Sequence, residues 1–204
     1  MHTSDMNILI FGDSIVWGVG DDKGGWAERL KNSETQNTIY PLGIPGDSSQ
    51  DLLERFESEA QARLDYEDEN LILIAIGTND SYHFVKDQNC NVSLEKYAGN
   101  LARLAQKAKE YNSKIAFLGL TPLNDALLNP VPWKPDKFYK LEFVEEYNQE
   151  LKNFCNQNNL PFIDVMDKFM QKDWRNMLSD GLHPNPEGHQ LLFEIVKEFL
   201  NKSS

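Results

Sequence analysis

The segment Leu71-Ile72-Leu73-Ile74-Ala75-Ile76 is apolar at every position. It has no polar face to turn to water, so it fits a strand covered on both sides, as in a parallel sheet. Four more runs of strand length join it: Asn7–Phe11, Thr38–Leu42, Lys114–Leu120 and Pro161–Val165. Between them the spacing changes to that of helices. Leu94, Tyr97, Leu101, Leu104 and Ala108 form one stripe, and Leu141, Val144, Tyr147, Leu151 and Phe154 a second. Leu191, Leu192, Ile195, Val196, Phe199 and Leu200 form a third, and Ser49–Leu64 carries Leu52, Leu53, Phe56 and Ala60. The predicted order is β, short helix, β, α, β, α, β, α, β, α. Such alternation implies an α/β chain with a parallel sheet, right-handed crossovers and helices on both faces.

In folds of this kind, chemistry sits beyond the carboxyl ends of the strands. The segments there are Gly12–Gly20, Gly43–Ser48, Gly77–Asn89, Thr121–Asp136 and Leu178–Gly188. Thr121–Asp136 is long for a connection and holds four prolines around Trp133, which reads as a stiff, apolar surface feature or an ordinary packed loop.

A chain of 204 residues with 40% hydrophobic content can bury a core without metal or disulfide staples, and is expected to form a single domain over 1–204. Its net charge of −12 opposes nucleic acid and anionic membrane surfaces. Cys90 and Cys155 stand far apart in no metal-binding spacing. No apolar run reaches the length of a membrane span or a signal core, so a cytoplasmic chain is expected, without stable membrane insertion.

Four short motifs fall at the strand ends. Gly12-Asp13-Ser14 follows the first strand directly, so Ser14 starts the next helical turn, as a nucleophile or as a helix cap. Asp180-Gly181-Leu182-His183-Pro184 places a carboxylate three residues before an imidazole; Pro184 and Pro186 keep the segment out of a helix. If the loop turns, Asp180 fixes the tautomer of His183; otherwise His183 is a surface histidine in a pre-helical loop and Asp180 a turn residue. Gly77-Thr78-Asn79-Asp80 offers a side-chain amide, and Gly46 allows a backbone N–H to approach a ligand closely. With the N–H of Ser14 these are three candidate donors to a developing oxyanion.

Taken together, the blocks GDS, the Gly46 loop, GTND and DGLHP resemble the GDSL, or SGNH, hydrolase superfamily, over nearly the whole chain. Ile15 stands where the family's nickname has leucine. The resemblance implies a flavodoxin-like, three-layer α/β/α sandwich with a five-stranded parallel sheet, the SGNH hydrolase fold. It implies Ser14 as nucleophile, His183 as general base and Asp180 as its orienting partner. The backbone N–H groups of Ser14 and Gly46 and the amide of Asn79 would form the oxyanion hole. It implies no metal and no organic cofactor, and a small-molecule ester substrate. The superfamily accepts lipid and aryl esters, thioesters and acetylated sugars. Segments 80–89 and 121–138 would shape the pocket here, the second with Leu123, Leu127, Leu128, Val131, Trp133 and Phe138, for a short or medium acyl chain.

Other readings are weaker. Gly18-Val19-Gly20 and Gly24-Gly25 fit neither a dinucleotide fingerprint nor a P-loop, and there is no GxSxG elbow. His183, Glu187 and His189 look like a metal cluster, but the intervening prolines break a common helical face. Trp17 and Trp26 could line an acyl pocket or belong to the core. An acyltransferase would use the same acyl-serine; a non-catalytic flavodoxin-like module would only bind a ligand. Oligomeric state stays open.

Overall fold

The computed structural model describes residues 6–34, 36–64 and 69–203. The strands are β1 (Met6–Gly12), β2 (Thr38–Gly43), β3 (Glu69–Ala75), β4 (His83–Phe84), β5 (Lys114–Leu118), β6 (Lys137–Phe138) and β7 (Phe162–Ile163). The helices are α1 (Ser14–Trp17), α2 (Gly25–Ser33), α3 (Ser49–Gln61), α4 (Leu94–Glu110), α5 (Leu141–Asn158), α6 (Met166–Met170) and α7 (Pro186–Ser203). Five strands form one sheet in the order β2-β1-β3-β5-β7, and every pairing in it is parallel. This is the expected five-stranded α/β architecture.

Strand geometry sends alternate side chains to opposite faces, and two separate cores result. Leu9, Phe11, Ile72, Ile74, Ile115 and Phe117 pack against α3, α4 and α5. Ile8, Ile10, Leu71, Leu73, Ala116 and Leu118 pack against α2, α6 and α7. β3 is thus apolar from Leu71 onward because both of its faces are covered there.

The structure corrects several element bounds. β3 stops before Ile76, whose carbonyl accepts instead from the Tyr97 hydroxyl at 2.9 Å. β5 ends at Leu118, and the Leu120 amide turns to Asn148 Oδ1 at 2.9 Å. β7 pairs over two residues only, because the chain enters α6 almost at once. The single short helix expected between the first two strands is two helices, α1 and α2. Its second half was hidden by glycines: Gly18, Gly20, Gly24 and Gly25 all have positive φ, and a Cβ on Gly25 would lie 2.4 Å from the Gly18 Cα. They mark a tight crossing of backbone, not a phosphate cradle.

Outside the main sheet, β4 and β6 pair antiparallel, with His83 opposite Phe138. This ribbon ties segment 80–89 to segment 121–138. Among the described residues no helix is long and apolar enough to cross a membrane.

Gly12 sits where β1 turns into α1. A Cβ there would lie 2.3 Å from Val16 Cγ2, a side chain, and 2.5 Å from the Ala75 carbonyl, a backbone oxygen held in the sheet. Gly12→Ala should therefore cost about 1–3 kcal/mol of stability by overpacking, read as a lower urea midpoint at unchanged slope.

Candidate active site

At the carboxyl end of β1, Asp13 Oδ1 accepts from the Ile15 amide at 2.9 Å and caps α1. Ser14 is therefore the first residue of the helix and not its cap. Its Oγ lies 2.9 Å from His183 Nε2, and each of the two residues is only 8% exposed.

His183 is set by Asp180, which uses both carboxylate oxygens. Oδ1 accepts from the amides of Leu182 at 2.9 Å and His183 at 2.8 Å, folding the loop back on itself. Gly181, at φ +92°, supplies the turn. Oδ2 then meets His183 Nδ1 at 2.7 Å. Burial works to raise the Asp180 pKa, but the imidazole and the two amides outweigh it and hold the carboxyl below its ordinary value. An ionised Asp180 keeps the proton on Nδ1, so the Nε2 lone pair faces the Ser14 hydroxyl.

Two of the candidate oxyanion donors are open. Among the described residues, neither the Ser14 nor the Gly46 N–H has a hydrogen-bond acceptor. Gly46 lies on an exposed loop at φ +92°, with nothing within 4 Å of where a Cβ would stand. Asn79, the third, is engaged. Its Nδ2 donates to the Asp47 carbonyl at 3.1 Å and faces Asp13 Oδ2 at 3.4 Å. It thereby spans the neighbours of both Ser14 and Gly46.

The loops carrying these groups are locked from behind. Both oxygens of Asp80 accept from the Ser49 amide, at 3.1 and 2.9 Å, and Oδ1 also accepts from the Ser49 hydroxyl. This pins the start of α3, just after the Gly46 loop, to the Asn79 loop. Burial pushes the Asp80 pKa up to about 6 against those bonds. From α3, Arg55 reaches the carbonyls of Gly12 at 3.0 Å and Leu42 at 2.9 Å, and Asp47 Oδ2 at 2.7 Å. One guanidinium thus ties the ends of β1 and β2 to the Gly46 loop.

The apolar residues expected to shape a pocket divide in two. Leu123, Leu128, Val131 and Phe138 are buried in the fold, because segment 121–138 packs inward on its own apolar side chains. Leu127 and Trp133 remain exposed, and the Trp133 ring lies 6.1 Å from the His183 ring. Trp26 is core. Trp17 borders a groove with Gly24, Glu28, Pro41 and Gly43 that contains none of Ser14, Asp180 or His183. His189 is fully buried, accepting from the Trp26 amide at 3.3 Å and donating to the Val19 carbonyl at 3.0 Å. Among the described residues no group of three His, Cys, Asp or Glu side chains is arranged to hold a metal ion.

The family model described as the GDSL-like lipase/acylhydrolase family matches residues 10–191. The chain belongs to this family. A GDSL esterase/lipase of Arabidopsis thaliana is 27% identical over 95% of the chain, which spans 62% of that relative's length. The human isoamyl acetate-hydrolyzing esterase 1 homolog is 28% identical over 96% of the chain and 81% of its own length. The crystal structure of a lipase/acylhydrolase from Enterococcus faecalis superposes with a TM-score of 0.77 at 20% identity, covering 97% of this chain and 96% of that one. That likeness is one of fold, and the GDSL-family sandwich is the fold seen here.

Sequence reading missed Tyr139, Arg55 and the structural part played by Asp80. Asp80 sat inside a motif already noticed. Arg55 and Tyr139 carried no signal, because their partners lie on other loops. Nor did the sequence show how deeply this GDSL-family site buries Asp13. Burial drives its pKa up to about 7, against the opposing pull of the Ile15 amide and of His183. The folded state therefore holds a proton that the unfolded chain releases, and stability falls as pH rises between 3.8 and about 7. Asp13→Asn keeps a capping oxygen and cannot ionise. Its stability relative to the parent protein should rise steadily from pH 4 to 7 and level off above 8, as measured by urea unfolding at each pH.

Proposed function

We propose that the protein is a serine esterase acting through an acyl-serine on carboxylic or thio esters of small molecules. The observation that carries this reading is the continuous line Ser14 Oγ, His183 Nε2, His183 Nδ1, Asp180 Oδ2, with links of 2.9 and 2.7 Å. The absence of an acceptor for the Ser14 and Gly46 N–H groups among the described residues supports it.

In this reading His183 takes the Ser14 proton as Oγ attacks the ester carbonyl. Asp180 supports the imidazolium that forms. The carbonyl oxygen gathers negative charge and meets the N–H groups of Ser14 and Gly46 and the Asn79 amide. One Asn79 hydrogen is held by the Asp47 carbonyl; the other has only the long contact to Asp13, which an oxyanion would replace. The imidazolium then protonates the departing alcohol or thiol. Water, deprotonated by His183, attacks the acyl-serine and releases the acid, which restores Ser14.

The leaving group must depart next to His183, which protonates it. Trp133 flanks that imidazole and is 46% exposed, so its ring is available to the alcohol half of the substrate.

Hydrolysis of nitrophenyl esters across a series of acyl lengths tests the reading. Ser14→Ala should lose essentially all turnover, and Asn79→Ala should lose about 10²–10³ in kcat. Parental turnover in purified Ser14→Ala overturns the assignment. Separately, Trp133→Ala should raise KM severalfold for aryl acetates while leaving KM for ethyl acetate nearly unchanged, since only the larger alcohol reaches the ring.

A further inference from the structure

The Asn79 amide is held at both ends. At the nitrogen end stands the Asp47 carbonyl, which can only accept. At the other end Asn79 Oδ1 lies 2.8 Å from the Tyr139 hydroxyl. Reversing the amide would set two carbonyl oxygens against each other at Asp47, so Oδ1 belongs beside the tyrosine. With an acceptor facing it, the hydroxyl must donate. Tyr139 is 1% exposed, and burial drives its pKa upward, so it remains a donor across the working range of pH.

The placement of Tyr139 is itself constrained. It follows β6 directly, and β6 pairs with β4 from the loop that begins at Asn79. Its amide donates to the Leu128 carbonyl at 3.1 Å, and its ring meets Tyr82 edge-on at 5.7 Å. The Asn79 backbone is fixed as well, since its carbonyl accepts from Asn91 Nδ2 at 2.9 Å. With the backbone held, the freedom left to Asn79 is rotation of its side chain, and the Tyr139 hydroxyl restrains it from the oxygen end as the Asp47 carbonyl does from the nitrogen end.

We propose that Tyr139 is a positioning residue of the oxyanion hole, its hydroxyl holding Asn79 Oδ1 so that Nδ2 is aimed at the developing negative charge. This rests on the reading of Asn79 as an oxyanion donor. The hydroxyl acts in two ways. It fixes the rotamer before substrate arrives, so the donor need not be reordered during the reaction. It also draws electron density from the amide, which strengthens the N–H as a donor. Both effects grow with charge on the carbonyl oxygen and belong to kcat rather than KM.

Tyr139→Phe keeps the ring and removes only the hydroxyl. Turnover of nitrophenyl acetate is measured for the parent, Tyr139→Phe, Asn79→Ala and the double variant. In the parent background Tyr139→Phe should lower kcat about tenfold, a fraction of the loss caused by removing the donor itself, with KM within about twofold. In the Asn79→Ala background the same change should lower kcat no further. A purely structural role would lower kcat equally in both backgrounds, and that result overturns the proposal while leaving Asn79 its role. So does parental kcat in Tyr139→Phe. Parental kcat in Asn79→Ala overturns the proposal together with the reading beneath it. Titration of each sample with a nitrophenyl phosphonate counts competent serines, so a partly unfolded variant is still compared per active site.

Discussion

A sheet covered on both faces leaves little room for polar chemistry. The buried apolar side chains of β1, β3 and β5 are all committed to one of two apolar cores. Groups that must meet water and substrate are confined to the loops at the edge of the sheet. The parallel register brings Gly12 of β1 beside Gly43 of β2 and Ala75 of β3 at that edge. The loops bearing Ser14, Gly46 and Asn79 therefore emerge side by side before any of their own contacts form.

What those loops then need is rigidity, which hydrogen bonds to backbone supply. Asp180 uses one oxygen to fold its loop and the other to hold the imidazole. Asp80 and Arg55 work on the backbone of neighbouring loops. Buried carboxylates are costly to ionise unless well supplied with donors. Asp13 is buried far more completely than Asp180 and has fewer donors, and the directions of their pKa shifts differ accordingly.

The layers and the order of the main elements along the chain were legible because burial on two faces leaves a strong local trace, the unbroken run at Leu71–Ile76. Asp180 and His183 were legible as a pair because they lie three residues apart and their geometry is made within one turn. Strand ends were read too long where a side chain from a helix, Tyr97 or Asn148, takes over a ladder bond. Such competition depends on contacts distant in sequence. Tyr139 was invisible for the same reason: it lies 60 positions from Asn79 and in no motif. Apolar residues of 121–138 pointed to a pocket, but hydropathy cannot tell a side chain facing substrate from one closing the loop's own core.

Segment 121–138 carries two kinds of residue on one stretch of chain. Leu123, Leu128 and Val131 are fully enclosed, whereas Leu127 and Trp133 stand in solvent. Substitutions at enclosed positions disturb packing, while exposed ones usually shift stability by no more than about 0.5 kcal/mol. Under the proposed esterase reading, the outer face of this loop is free to drift under selection for different alcohols while its inner face stays fixed. Diversification of substrate range can proceed here one exposed side chain at a time, without passing through misfolded intermediates.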